Sequence, residues 1–164
     1  MDGIVDIHLR SSRAAYARLP ASVVAVTAGQ RRIGWRAALA DPSSRVWVAE
    51  AAGSIVGFCH LRISEEGSPS ADAAEISSLY IEPSRWGEGI GGKLMERARL
   101  TAVEHGSSRI FLQVYAENDR ARAAYEAMGF SANAGTTVHE RTGLPLMRYE
   151  MPLDPRSPLD PLSP

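Results

Sequence analysis

The sequence predicts a mixed α/β domain whose central sheet combines antiparallel strands with one parallel pair. Its 164 residues are 45% hydrophobic and 23% charged, which suits a single globular domain. Two β-favouring runs are separated by only Ala52-Gly53, and the strands of such a hairpin must be antiparallel. Later in the chain, a strand, a helix and another strand follow in the order typical of a parallel crossover.

The first part of the chain is predicted to form two helices and the hairpin. Apolar residues at helical spacing run from Ile4 to Leu19, where Pro20 ends the pattern, and again from about Ala28 to Ala40. The hairpin strands span Arg45 to Ala51 and Ser54 to Ser64, and both are rich in β-branched and aromatic residues.

The middle of the chain contains a strand, a glycine-rich turn and the most regular amphipathic helix. After an exposed polar loop from Glu65 to Asp72, the third strand spans Ala73 to Ile81. The helix that follows the turn runs from Ile90 to His105, and Gly106 ends it. A further strand spans Arg109 to Tyr115.

The last predicted elements are a short helix and two strands. Asn118 or Asp119 caps the helix, and Gly129 closes it. The strands span Phe130 to Val138 and Leu144 to Met151.

The predicted domain covers residues 1–151, and a proline-rich tail covers residues 152–164. A proline stands at every third position of the tail, which is the repeat of a polyproline II helix. We expect this tail to be disordered, and a docking peptide for a partner protein is the alternative.

Composition argues against several classes of protein. The 18 basic and 19 acidic residues nearly cancel, whereas nucleic-acid and membrane-surface binders normally carry a basic excess. No apolar run approaches the roughly 20 residues that span a bilayer, and the N-terminus lacks a signal-peptide core. A single cysteine, Cys59, allows no internal disulfide, so a cytoplasmic location is expected. The four histidines are scattered, and no His or Cys cluster has metal-site spacing.

The stretch from Trp86 to Gly92 is the clearest functional signal. It follows a strand and opens a helix, so that free backbone N–H groups can bind a phosphate group. The pattern Gly-x-Gly-x-x-Gly is weak by itself, because dinucleotide-binding domains share it. Those domains place the turn after their first strand, whereas this turn lies in mid-chain. A P-loop is excluded because Leu94 follows Lys93 where Ser or Thr is required.

Two motifs in this order resemble the GNAT superfamily of N-acetyltransferases. The first, which resembles the family's acyl-CoA pyrophosphate loop, is Leu79-Tyr80-Ile81-Glu82-Pro83 followed by Trp86-Gly87-Glu88-Gly89-Ile90-Gly91. The second comprises Asn118-Asp119-Arg120-Ala121, Tyr125 and Gly129-Phe130. A looser likeness extends from the first helix to Met151.

The resemblance implies a GNAT-like fold with flanking helices and acetyl-CoA as cosubstrate, without a metal. In this family a bulge splays the strand before the glycine turn from its parallel neighbour, and the thioester lies in the gap. Backbone N–H groups of the turn would bind the pyrophosphate, and the strand edge would pair with the pantetheine arm. The implied cofactor-binding residues are Leu79, Tyr80, Ile81, Trp86, Gly87, Glu88, Gly89, Ile90, Gly91, Gly92 and Asn118.

The implied activity is transfer of an acetyl group to a primary amine of a small molecule or peptide by direct attack on the thioester. By similarity Tyr125 would lie near the sulfur and act as the general acid for the leaving thiolate. The attacking amine must lose a proton, and Glu75 and Glu82 are both candidate bases. A non-catalytic acetyl-CoA sensor or interaction module is the alternative.

The acceptor pocket of such proteins comes from the first two helices and the loop between the last strands. Tyr16, Trp35 and Arg36 are candidates for lining it, as are His139 and Glu140. No nucleic-acid or membrane partner is expected, and the chain could form a homodimer.

The chain departs from the family pattern at two points. Trp86 stands where the motif often begins with Arg or Gln, and Arg85 lies one place earlier. Helical periodicity begins almost at Met1, which leaves no room for the short strand with which the family usually starts.

Overall fold

A computed structural model describes residues 1–64 and 72–154, so residues 65–71 of the predicted loop and residues 155–164 of the predicted tail lie outside the described residues. The helices are α1 (Asp2–Ala15), α2 (Ala28–Ala40), α3 (Ile90–Glu104) and α4 (Asp119–Ala127), with 3-10 helices at Ala21–Val23 and Pro83–Arg85. The strands are β1 (Ser44–Ala51), β2 (Ser54–Ile63), β3 (Ala73–Ile81), β4 (Arg109–Tyr115), β5 (Ser131–Val138) and β6 (Pro145–Pro152).

The described strands form one six-stranded sheet in the order β1-β2-β3-β4-β6-β5. Strands β3 and β4 are parallel, and every other neighbouring pair is antiparallel. The predicted mixed, mostly antiparallel sheet is therefore confirmed. The hairpin turn forms as predicted, with Ala52 at φ 49° and Gly53 at φ 73°, because tight hairpins favour positive φ at both central residues.

The parallel pair separates partway along its length. The register between the two strands ends at Ile76 opposite Leu112, although β3 continues to Ile81 and β4 to Tyr115. On its other edge β3 stays paired with β2, and a bulge leaves Ser77 without an opposite residue. Because a bulge bends the strand that carries it, β3 diverges from β4 and leaves a gap between them.

Helices cover both faces of the sheet. On one face α3 buries its apolar stripe, including Leu94 and Ala98, in the main core. On the other face α1 packs Ile4 and Ile7 into a second core together with Phe58 of β2. No helix within residues 1–64 and 72–154 is both long and apolar enough to cross a bilayer.

Helix α2 begins where its sequence signals predict. The Thr27 hydroxyl accepts a hydrogen bond from the Gln30 N–H, and the Gln30 side chain accepts one from the Thr27 N–H, which forms a capping box. This start places Arg31 and Trp35, four residues apart, on the same side of the helix. Trp35 is buried in the second core, and Arg31 reaches the site described below.

The prediction that the first helix continues to Leu19 is wrong, because α1 ends at Ala15. Tyr16 leaves the helical conformation with φ −108° and ψ 21°. Its hydroxyl lies 2.9 Å from that of Tyr80 on β3. This tertiary contact, together with aromatic packing of Tyr16 against Tyr115, replaces the last helical turn.

The folded part of the chain extends two residues beyond the predicted boundary at Met151. Pro152 is paired with Arg109 at the end of β6. The Leu153 N–H donates to the Ser108 carbonyl at 2.8 Å, and the Leu153 side chain packs into the main core. An apolar contact of this kind leaves no periodic pattern in the sequence.

Candidate active site

The glycine turn presents a row of backbone N–H groups. Gly87 and Gly89 have φ of 90° and 77°, which other residues rarely adopt, and Gly89 is the N-cap of α3. No side chain in the described part of the chain caps this helix. Within the described residues, no backbone carbonyl accepts from the N–H groups of Gly87 or of residues 89–92. Such a helix N-terminus can donate several hydrogen bonds to one anion.

Beyond Ile76, the edge of β3 that faces the gap pairs with no other strand of the described residues. The Glu82 N–H donates to the Val56 carbonyl of β2 at 2.8 Å. Since successive residues of a strand direct their N–H groups to opposite edges, those of Leu79 and Ile81 face the gap. The Ile81 carbonyl, on the same edge, accepts a hydrogen bond from Trp86 Nε1 at 2.9 Å. An extended amide-bearing chain can add to this edge as a further strand does.

Trp86 holds a cation beside the glycine turn. The guanidinium carbon of Arg120 lies 3.7 Å from the centroid of its ring, and both residues line the same cleft. Arg85, one place before Trp86, is instead paired with Glu88 at 2.8 Å. Sequence reasoning did not single out Arg120 as a phosphate-binding candidate, because nothing in the motif predicts that it stacks on Trp86.

The cleft has a volume of about 450 Å³ and extends from the glycine turn to the gap between β3 and β4. Of the residues predicted to bind the cofactor, only Glu88 does not line it. Asn118 lines it and also caps α4, where its Oδ1 accepts a hydrogen bond from the Ala121 N–H at 3.3 Å. The volume lies within the usual range for a small-molecule site.

Tyr125 extends from α4 into the cleft. Its ring packs edge-on against Phe130, with 6.1 Å between centroids. Burial raises the pKa of the Tyr125 phenol well above its usual value of 10, and the neighbouring Tyr16 and Cys59 act in the same direction. The phenol therefore stays protonated at neutral pH, as a proton donor must be.

A second cavity, of about 320 Å³, lies on the α2 side of the sheet. It shares Tyr16, Tyr80 and Gln113 with the cleft, so the two spaces meet at the gap between β3 and β4. Its lining includes the polar side chains of His8, Arg31, Glu75, Ser77, Ser78, Tyr115, His139 and Arg141.

A pair of tyrosines stands where the two spaces meet. Burial raises the pKa of both Tyr16 and Tyr80, whose hydroxyls are hydrogen-bonded to each other. Sequence reasoning placed Tyr16 in the acceptor pocket and Tyr80 beside the cofactor. The structure brings the two residues into contact at the boundary between those regions.

The two candidate bases have different surroundings. Glu75 lines the second cavity, and its carboxylate lies 3.9 Å from Arg62. Glu82 lines neither space, and its carboxylate accepts two hydrogen bonds from the Arg10 guanidinium, at 2.9 and 3.2 Å. Only Glu75 is therefore placed beside the space on the α2 side of the gap.

The second cavity contains a neutral histidine beside a cation. Burial and the charge of Arg31 lower the pKa of His8 to about 3. His8 Nδ1 accepts a hydrogen bond from Trp35 Nε1 at 3.2 Å, and the imidazole packs edge-on against the indole with an interplanar angle of 73°. Trp35 is thus a buried packing residue, and it does not line the cavity.

The remaining acceptor candidates divide into two groups. His139 lines the second cavity and stacks on Tyr115 with 5.5 Å between ring centroids, whereas Arg36 and Glu140 line neither space.

Within residues 1–64 and 72–154, no group of three or more His, Cys, Asp or Glu side chains could hold a metal ion. Cys59 is buried, and burial raises the pKa of its thiol to about 12.

Comparison with known proteins matches a family model to a range of the chain that includes both sequence motifs. The model of the acetyltransferase (GNAT) family matches residues 4–130. An uncharacterized N-acetyltransferase of Mycobacterium bovis is 32% identical over 99 residues, which is 60% of this chain and 60% of that protein. A mycothiol acetyltransferase of Beutenbergia cavernae is 40% identical over 77 residues, which is 47% of this chain and 25% of that protein.

A solved structure shares the whole fold. It is that of yncA from Salmonella typhimurium with its cofactor acetyl-CoA, at a TM-score of 0.67 and 20% identity over 92% of this chain and 87% of that one. The chain spans 60% or less of the length of the two relatives above.

Proposed function

The chain belongs to the acetyltransferase (GNAT) family, and we propose that it transfers an acetyl group from acetyl-CoA to a primary amine of a small molecule or peptide. In the reaction the amine nitrogen bonds to the thioester carbonyl carbon and the carbon–sulfur bond breaks. The nitrogen loses a proton, and the departing thiolate gains one. The products are an N-acetylated amine and free CoA.

The residues of the cleft fit acetyl-CoA. The N–H groups of Gly87 and of residues 89–92, which donate to no backbone carbonyl of the described residues, bind the pyrophosphate, and the Arg120 guanidinium supplies the positive charge that a side chain at position 86 would otherwise give. The open edge at Leu79 and Ile81 pairs with the amides of the pantetheine arm. Asn118, which also lines the cleft, contacts the pantetheine arm.

Chemistry takes place in the gap between β3 and β4. A backbone N–H of the β3 edge, at Leu79 or Ile81, donates to the thioester carbonyl and stabilises the negative charge that builds on its oxygen. Tyr125 gives its proton to the leaving thiolate. A phenol with the usual pKa of about 10 is already protonated at neutral pH, and the burial that raises the pKa of Tyr125 favours this neutral form.

The base is Glu75 in this proposal. A lysine-like amine has a pKa near 10.4 and is mostly protonated at neutral pH, so a group must take a proton before attack. Glu75 lines the second cavity and can accept that proton directly or through water. Glu82, the other candidate, is already bound by Arg10 outside both spaces.

The observation that carries the proposal is the meeting of the two spaces at the gap. A cleft built for an anion and an extended amide chain meets a separate polar cavity at Tyr16, Tyr80 and Gln113. A substrate bound in each space would therefore meet the other at the gap, where Tyr125 lines the cleft. A sensor of acetyl-CoA would need the cleft but has no need of the second cavity.

The test is the release of free CoA thiol from acetyl-CoA across a panel of primary amines. We expect thiol release that depends on one class of amine. If acetyl-CoA raises the melting temperature of the protein but no amine of the panel gives thiol release, the protein is a sensor of acetyl-CoA. At 100 times the dissociation constant, that stabilisation is about 2.7 kcal/mol.

A further inference from the structure

The second cavity contains a guanidinium group that no carboxylate of the described residues neutralises. Arg31 lines this cavity from α2, and its buried Nε has no hydrogen-bond partner within residues 1–64 and 72–154. No carboxylate of the described residues forms an ion pair with it. Its neighbour on the helix, Arg32, is paired with Asp2 at 2.9 Å. An unpaired charge in a half-buried site is unfavourable, and a bound anion removes the penalty.

Arg141 adds a second positive charge to this cavity. Its guanidinium donates to the carbonyls of Ser22 and Val23, so these contacts leave its charge unneutralised. Both guanidinium groups line the same cavity, where burial lowers the pKa of Arg31 and the like charge of Arg141 lowers it further. Among the described residues that line the cavity, Glu75 is the only carboxylate. The lining thus holds two formal positive charges and one negative charge, and the carboxylate of Glu75 also lies 3.9 Å from Arg62, outside the lining.

We propose that the acceptor is a small primary amine that also carries a carboxylate, an amino-acid-like molecule, and that Arg31 binds the carboxylate. This inference rests on the proposed function, because it names the acceptor of the same transfer. Arg31 and Glu75 provide one positive and one negative group in the same cavity, which matches the carboxylate and the ammonium ends of such a molecule. The volume of about 320 Å³ is near the lower end for ligand sites, which favours a small molecule over a protein substrate.

Opposite charges in the cavity then orient the acceptor. Arg31 on α2 holds the carboxylate, and Glu75 on β3 attracts the ammonium end and removes its proton. An acceptor without the carboxylate leaves Arg31 desolvated and unpaired. Hydrogen bonds to charged groups are strong enough for such a loss to lower kcat/KM by about 10- to 100-fold.

The experiment compares amino acids with their primary amides, which keep the amine and the side chain but lack the negative charge. The ratio of kcat/KM for acid to that for amide is measured by thiol release with the wild type, Arg31→Gln, Arg31→Lys and Arg32→Gln. We expect the ratio to fall about 10- to 100-fold in Arg31→Gln and to recover partly in Arg31→Lys. Comparing ratios between variants cancels the difference in amine pKa between an acid and its amide.

Arg32→Gln is the matched control, because it removes the same group one residue away, where it contacts Asp2 outside the cavity. Its ratio should equal that of the wild type. An acid-to-amide ratio that is the same in Arg31→Gln and the wild type overturns the carboxylate site and leaves the transfer proposal standing. Folding of Arg31→Gln is not at risk, since the change removes an unpaired charge.

A binding measurement separates this inference from the proposed function. N-acetylated amino acids and their amides need no catalysis, and each is titrated by calorimetry in the presence of CoA. Tighter binding of the acids that is lost in Arg31→Gln supports the carboxylate site even if no amine is acetylated. Equal binding of acids and amides to the wild type overturns it.

Discussion

The cleft and the second cavity are built in different ways. The groups of the cleft that are proposed to bind acetyl-CoA are mainly backbone N–H groups of one continuous stretch, from Leu79 to Gly92, and α1, β4 and α4 add lining residues. The second cavity is formed by side chains from distant parts of the chain, and its charged groups are Arg31, Glu75 and Arg141. A backbone-built site withstands changes of side chain, whereas a side-chain-built site changes its ligand when one residue changes. The cleft can thus stay constant while the acceptor differs between relatives.

The largest effect is expected from closing the cleft beside the turn with Gly92→Glu. No atom lies within 4 Å of a Cβ at this position, so the side chain fits but projects a negative charge towards the pyrophosphate site. We expect acetyl-CoA affinity, measured by calorimetry, to fall at least about 100-fold. The free energy of unfolding should be unchanged or slightly higher, because Glu favours a helix more than Gly does.

Gly34→Glu is the matched control for that change. Gly34 is an exposed helical glycine on α2, and a Cβ there also meets no atom within 4 Å. Its acetyl-CoA affinity should equal that of the wild type. Full ligand stabilisation of Gly92→Glu would show that the phosphate assignment is wrong.

The next largest effect is expected at the gap, where Tyr125→Phe removes the proton donor. We expect kcat to fall by about 100-fold, whereas the dissociation constant of acetyl-CoA stays within a factor of about 3. Tyr149→Phe is the control, because Tyr149 is a buried phenol that donates to Glu126 and lines neither space. Unchanged turnover of Tyr125→Phe would remove Tyr125 from the catalytic step.

A smaller effect distinguishes the two candidate bases. Glu75→Gln keeps the shape of the side chain but cannot accept a proton, and we expect kcat/KM at pH 7 to fall by about 10- to 100-fold. Glu82→Gln should lose only the partly exposed ion pair with Arg10, which contributes up to about 1 kcal/mol to stability. Steady-state rates for both variants decide between them, because a greater loss in Glu82→Gln assigns the base to Glu82.

The smallest effect concerns stability on the side of the second cavity. The pKa of His8 is about 3 in the folded chain and about 6.5 when unfolded, so the unfolded state binds more protons between these values. The free energy of unfolding should therefore fall as the pH drops below 6.5, by at most about 1.4 kcal/mol per unit from this residue.

Denaturant titrations of His8→Asn between pH 7 and pH 5 check that slope. Asn offers Oδ1 as an acceptor to Trp35 in place of Nδ1 but does not titrate in this range. In His8→Asn, the free energy of unfolding should fall less steeply with decreasing pH than in the wild type. In His105→Asn, which changes an exposed histidine, it should fall as steeply as in the wild type. Equal slopes in all three proteins would mean that His8 is not held neutral by the fold.

The contrast between the two spaces also explains what could be predicted from the sequence. The strand, turn and helix around Gly87 and Gly89 are local features, so periodicity and glycine spacing located them and the parallel pair beside them. Arg120 was missed because its stacking on Trp86 joins α4 to the turn through tertiary contact alone. The sequence also did not predict that Arg31 and Arg141 line the same cavity, because 110 positions separate these residues in the chain. The early end of α1 depends on the hydroxyl contact between Tyr16 and Tyr80, which helical periodicity cannot show.

Transfer across the gap is tested most directly with acetyl-CoA labelled in its acetyl group. The amount of thiol released is compared with the amount of labelled N-acetyl amine found by mass spectrometry, in the presence and absence of each primary amine of the panel. We predict that one labelled amine forms for each thiol released, and that both fall together in Tyr125→Phe. Thiol release that continues without amine and yields labelled acetate, or binding without any release, would contradict the transfer of an acetyl group from the cleft to the second cavity.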